Sequence, residues 1–220
     1  MKAEFLWMVG FVILSVSLSP GKSLAGTPTD VHGRACLMVE EIRSGDTTPF
    51  DGSSKPGPDK KLILFAEADA DCVLVVAAFQ DKDRNLANGW MPQIVEMKAW
   101  EELRLPSDSR TSPWGPDSQD FDMHVVFADA KAKGLEPLKQ LISQMQKETG
   151  GKLLEAQGKK LREDLIGWIA SGNAGIFHPG SASAAWGGTL RAGRPPWRAS
   201  AQNVVFPAGR QAVLIYRYGR

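Results

Sequence analysis

The stretch spanning residues 61–129 constrains the fold more than any other part of the chain. It opens with two apolar runs, Leu62-Ile63-Leu64-Phe65-Ala66 and Cys72-Val73-Leu74-Val75-Val76-Ala77-Ala78-Phe79, separated by the acidic corner Glu67-Ala68-Asp69-Ala70-Asp71. A polar cluster at 80–85 closes the second run. Then come Trp90-Met91-Pro92, Leu103-Arg104-Leu105-Pro106, the turn-rich Pro113-Trp114-Gly115-Pro116 and the apolar run Met123-His124-Val125-Val126-Phe127-Ala128. Short β-branched runs punctuated by Asp, Asn, Gly and Pro predict antiparallel strands.

Beyond residue 130 the period changes. Leu135, Leu138, Leu141, Ile142 and Met145 recur every three or four residues and share one helix face. Pro137 falls in the first turn, where a missing N–H costs least, and Gly150-Gly151 ends the run. A second helical pattern runs through Leu153, Leu154, Leu161, Leu165, Ile166 and Ile169 to Ser171-Gly172. Residues 172–203 are rich in Gly, Ala and Ser. The chain then reads as a strand at 204–206, a Pro207-Ala208-Gly209 turn and a last long strand to 218, a C-terminal β-hairpin. The expected fold is α+β: an antiparallel β-sandwich-like or curled sheet with a packed helical hairpin at 135–171. Its β-rich core covers 34–128 and carries a flexible loop at 44–61, where only Phe50 is a large apolar residue.

The residues Asp69-Ala70-Asp71-Cys72-Val73-Leu74-Val75, Asp81-Lys82-Asp83, Trp90-Met91-Pro92, Leu103-Arg104-Leu105-Pro106 and Phe121-Asp122-Met123-His124-Val125-Val126-Phe127-Ala128 together carry a resemblance. In that succession the chain resembles the family called domain of unknown function 4384, over roughly residues 62–138. It departs from the family pattern at Arg84-Asn85, where a turn glycine is usual, and at Asp129. The resemblance implies a β-rich, non-catalytic accessory domain of bacterial envelope proteins, and it transfers no catalytic residue.

The first 25 residues read as a cleaved signal peptide. Lys2 opens them, residues 5–18 form an apolar run, and Pro20-Gly21 precedes the small-residue site Ser23-Leu24-Ala25. That run would reach only about 21 Å as a helix, against the ~30 Å of a bilayer core. Cleavage before Gly26 leaves residues 26–220 as one exported domain, periplasmic or secreted, with no membrane span. It also leaves 24 basic and 24 acidic residues. A neutral chain gives no support to a uniform basic surface for nucleic acid.

In an oxidising compartment two cysteines have two readings. Cys36 and Cys72 either form a disulfide that closes a 37-residue loop, or remain two buried thiols packed as small hydrophobes. No Cys-x-x-Cys pair suggests redox catalysis.

No constellation for catalysis, metal or cofactor emerges. Asp81-x-Asp83-x-Asn85 lacks the Gly and Glu that a calcium loop needs at its sixth and twelfth positions, where Leu86 and Pro92 stand. Asp117, Asp120 and Asp122 read as a loop. His32, His124 and His178 have no partner at ligand spacing. His178 lies near Ser181, but neither a nucleophile elbow nor a phosphate loop is present. The remaining lead is tryptophan, of which there are seven. Trp90, Trp114, Trp186 and Trp197 all stand beside or close to Gly or Pro, hence in or near loops. There a rigid ring serves as a partner contact at little entropic cost, or else caps the ends of the β core. The expected function is therefore a non-enzymatic binding or assembly domain with an envelope protein partner. The alternatives are a glycan- or peptidoglycan-binding module and a small exported hydrolase.

Overall fold

The computed structural model describes residues 30–50, 52, 56–80, 92–107, 120–149, 155–171, 176–177 and 196–218. Its strands are β1 (Asp30–Glu41), β2 (Thr47–Pro49), β3 (Lys60–Ala68), β4 (Cys72–Gln80), β5 (Gln93–Met97), β6 (Leu103–Leu105), β7 (Phe121–Ala128), β8 (Ile176–Phe177), β9 (Gln202–Pro207) and β10 (Gln211–Tyr218). Helices α1 (Leu135–Thr149) and α2 (Glu155–Ser171) lie between β7 and β8, and a 3-10 turn covers Pro196–Ala199. The proposed signal segment, its cleavage point and most of the Gly/Ala/Ser-rich stretch lie outside the described residues.

The strands form two five-stranded sheets. In the first, β3 pairs with β1 from Gly33 to Glu41, which leaves the other edge of β1 for two partners. β9 takes the first half of that edge, from Asp30 to Ala35, and β2 takes Met38 to Glu40. β6 closes the far side on β3. The second sheet runs β5-β4-β7-β10-β8, antiparallel except for the short β8 against β10. The described residues thus form mostly antiparallel sheet with two α-helices.

Strand alternation explains how one core serves both sheets. Ala35 and Leu37 of β1, with Leu62, Leu64 and Ala66 of β3, join the same buried cluster as Val73, Val75, Val125 and Phe127 of the second sheet. Leu135, Leu138 and Ile142 of α1 and Leu161, Leu165 and Trp168 of α2 belong to it too, as the three-and-four spacing of their leucines requires. Two contacts set how closely the sheets approach. Gly33 lies so near Phe127 that an added Cβ would fall 2.7 Å from the ring. The buried Tyr216 hydroxyl donates to the Ala35 carbonyl at 2.9 Å, linking β10 to β1.

Two expectations change. The loop at 44–61 is not bare linker: β2 pairs with β1, and Phe50 stacks on Tyr218 with ring centres 5.9 Å apart. The C-terminal strands are not a hairpin. β9 belongs to the first sheet and β10 to the second, so the turn that the Arg210 N–H closes on the Pro207 carbonyl carries the chain between sheets. A hairpin and a sheet-switching corner share the same Pro-Ala-Gly turn chemistry, which is why the sequence pattern does not separate them.

The disulfide is not formed either; Cys36 and Cys72 are both buried free thiols. Parity decides this. Ala35 and Leu37 face the shared core, so Cys36 between them faces the opposite side of its sheet, beside Met38 and Trp197, whereas Cys72 lies in the shared core. Burial pushes both thiols up to about 12, with Asp71, Asp69 and Asp129 adding to the effect at Cys72. Because the thiolate is the reactive form, native protein at pH 8 should be inert to a thiol reagent. Unfolding it in denaturant without reductant should expose two reactive thiols per chain; none would mean that a bridge exists.

Candidate functional site

The site is built at the end of the molecule where β3 turns into β4 and β5 crosses to β6. Met97 ends β5 opposite Cys72, and Leu103 begins β6 opposite Ala66. The five residues between them, Lys98-Ala99-Trp100-Glu101-Glu102, therefore span from one sheet to the other. They form a tight turn, closed by the Glu101 N–H donating to the Lys98 carbonyl at 3.1 Å. Trp100 is the third residue of that turn and has φ of 65°. A positive φ at this position belongs to a type II turn, where Gly or Asn is usual. Among the described residues Trp100 is the one non-glycine with positive φ. Holding a bulky residue there costs on the order of 1–3 kcal/mol.

Three contacts hold the turn in that conformation. The Trp100 N–H donates to the Ala68 carbonyl at 2.7 Å. The Ala99 N–H donates to the Asp71 carboxylate at 2.9 Å, and the Lys98 ammonium meets the same carboxylate at 3.0 Å. The Ala99 hydrogen bond, and after it Lys98, holds Asp71 below the ordinary aspartate value of 3.8. A depressed carboxylate pKa favours the folded form above the unfolded value and loses that contribution as pH falls through the folded one. The anchor is therefore intact at neutral pH and is lost only in acid below the usual aspartate range. Its effect is to present Trp100, 61% exposed, at the surface.

The far end of the turn is fixed from inside the protein. On the outer face of the first sheet, Arg34 of β1 and Glu67 of β3 are register partners, and their side chains pair at 2.8 Å with almost no exposure. Arg198 of the 3-10 turn meets the same Glu67 carboxylate. Between these charges lies the ring of Trp197, stacked on Phe65 at 5.6 Å, with the Arg34 and Arg198 guanidiniums 5.7 and 5.5 Å from its centre. Both distances lie within cation–π range. The indole N–H of Trp197 donates to Glu102 at 2.9 Å, and Glu102 is two residues from Trp100. Alternation places Glu40, Lys61 and Arg104 on this face as well, in a second ion cluster at 3.3 and 2.6 Å.

Of the tryptophans singled out in the sequence, Trp197 is 2% exposed and packs within the protein. It positions the turn rather than offering a surface. Trp90, Trp114 and Trp186 lie outside the described residues, as do His178 and Ser181. His124 is half-buried, its ring edge-on to Phe79 at 5.0 Å. Among the described residues no group of three or more His, Cys, Asp or Glu is placed to hold a metal ion, and no helix is long and apolar enough to cross a membrane. Trp100 has Ala99 and Glu101 beside it, neither the Gly nor the Pro that marks a loop tryptophan. The signal that would have found it is its place in a five-residue link between two short strands, where some residue must reverse the chain. Compared with protein-family models, curated proteins and solved structures, the chain finds no match.

Replacing the two tryptophans should separate strain from packing. Trp100→Gly removes the strain but adds backbone freedom worth roughly 0.5–1 kcal/mol, so the melting temperature should hold or rise. Trp197→Ala should lose about 3–5 kcal/mol. A fall of many degrees for Trp100→Gly would show that its ring is packing. Glu67→Gln takes the shared carboxylate from both guanidiniums, leaving Arg198 with Glu102 at 3.7 Å, and should cost about 3–5 kcal/mol in urea denaturation; a loss below about 1 kcal/mol would contradict the clamp.

Proposed function

We propose that this chain is an exported, non-enzymatic binding or assembly domain of the bacterial cell envelope, and that Trp100 is its contact with a protein partner. One observation carries the reading: a large aromatic residue is held at the surface in a backbone conformation that costs stability, by anchors at both ends of its turn. Strain of this kind concentrates at ligand clamps and functional sites. Tryptophan is among the side chains enriched where a few residues dominate a protein interface. Within the same reading the two sheets are the layers of a sandwich, α1 and α2 form a helical hairpin against it, and the segment before Gly26 directs export to the periplasm or medium. The resemblance of residues 62–138 to domain of unknown function 4384 supports an accessory role and belongs to this proposal.

A glycan is the second reading. Trp100 stands beside the exposed carboxylates of Asp71 and Glu101, and an aromatic face next to hydrogen-bond acceptors suits a sugar ring.

The experiment is a crosslinking pull-down from the envelope with the parent protein and Trp100→Ala. Loss of an interface anchor worth 2 kcal/mol or more should reduce capture of the specific partner at least about tenfold, with little change in melting temperature. Unchanged capture would remove Trp100 from the interface. Sedimentation with insoluble peptidoglycan separates the glycan reading, which requires Trp100→Ala to abolish co-sedimentation. Intact mass of the exported protein should start at Gly26; a retained Met1 segment would overturn export with cleavage.

A further inference from the structure

At the same end of the molecule, at the start of β10 in the second sheet, lies a cleft of about 620 Å³. It opens where the start of α1, the end of α2 and the turn between β9 and β10 meet. Glu96, Val73, Ala128 and Gln211 mark one row across that sheet. Three inter-strand steps of roughly 4.8 Å put the cleft about 14 Å from the end of β5 that leads into the Trp100 turn. The two features are therefore separate.

We propose that this cleft binds a small amphipathic carboxylic acid, with its apolar body between the helices and its carboxylate at the rim. The volume lies in the range of small-molecule sites. Its floor is apolar and fixed. Leu138 and Trp168 are buried beneath it, and Pro137 and Leu141 supply the wall. Trp168 is held at two points. Its indole N–H donates to the Lys133 carbonyl at 3.0 Å, and the buried Gln211 amide donates to the Trp168 carbonyl at 2.7 Å. With its indole N–H bonded and its backbone carbonyl held, Trp168 is ordered without a ligand, so little ordering cost remains for binding.

The rim sets the charge of the occupant. Among the described residues that line the cleft, Lys133 and Arg210, both exposed, stand with a single carboxylate, Asp164. The balance of one positive charge suits a monoanion and disfavours a cation.

Gly167 supplies an independent reason to regard the cleft as a site. Two of its three glycines have structural causes. Gly134 and Gly209 have φ of 84° and 76°, and a Cβ on Gly134 would also fall 2.9 Å from Trp168. Gly167 has neither cause. It sits inside α2 with helical backbone, and a Cβ built on it meets nothing within 4 Å. Glycine is the poorest helix former after proline, and neither backbone nor packing asks for it here. Asp164, Gly167, Trp168 and Ser171 fall on one face of α2 at the spacing of successive turns. The effect of the missing side chain is to keep that face open to the cleft.

The test is calorimetric titration of the full chain with decanoate, decylamine and decanol below their aggregation concentrations. Decanoate should bind saturably, one per chain, and decylamine should fail. Decanol should bind more weakly than decanoate by the contribution of the rim cations. Gly167→Leu, which fills the cleft, and Arg210→Ser, which removes one head-group cation, should each weaken decanoate at least about tenfold. If Gly167→Leu does not fold, Gly167→Ala replaces it, and should raise the melting temperature while weakening decanoate. No saturable decanoate binding, equal binding of decylamine, or unchanged affinity in both the Gly167 and Arg210 variants would each overturn the proposal. Trp100→Gly should leave decanoate binding unchanged, so failure here is distinguishable from failure at the Trp100 turn.

Discussion

The Glu67 carboxylate, buried on the outer face of a β-sheet between the guanidiniums of Arg34 and Arg198, is the contact on which the candidate site depends. Burying ions is expensive, and such a group persists only when each charge is compensated. Here the compensation has a spatial consequence. Arg34 and Glu67 are fixed by strand register, so Arg198 must come to them, and it brings the 3-10 turn and Trp197 onto the sheet. Trp197 in turn reaches Glu102. The chain of contacts from β1 and β3 ends two residues from the exposed indole.

At the other end of the same turn, Asp71 works through a different kind of bond. Its carboxylate is exposed, so its attraction for Lys98 is screened and modest. Its value lies in direction: it accepts from the Ala99 N–H and sets the backbone just before Trp100. A buried clamp behind and an oriented surface acceptor in front hold a tryptophan where glycine would be the relaxed choice. An aromatic residue placed for stability alone would turn inward, as Trp197 and Trp168 do.

Much of the fold was legible because its periods are strong. The runs at 62–66, 72–79 and 123–128 became β3, β4 and β7, and the leucine spacings became α1 and α2. The first strand extends past its apolar centre at 35–39, because Arg34 and Glu40 find ionic partners on the outer face and need no exposure to water. That same outer face was illegible. A sequence shows that Glu67 follows an apolar run but not that Arg198, far along the chain, will meet it. Trp100 was hidden for a related reason: positive φ at a tryptophan is imposed by hydrogen bonds that the turn donates to the Ala68 carbonyl and the Asp71 carboxylate, and local residue preference points elsewhere. The cysteine pairing turned on strand parity, which sequence spacing does not encode.

The most direct measurement of whether the strained turn exists to meet a partner is site-specific photocrosslinking in living cells. A benzophenone amino acid is placed in turn at positions 100, 42 and 205, the three large hydrophobic residues that are exposed among the described residues, by 61, 56 and 40%. Crosslinking from position 100 to one discrete envelope protein, absent from Ile42 and Val205, is the predicted result. Equal products from all three positions, or none from position 100, would contradict the claim that Trp100 is the contact.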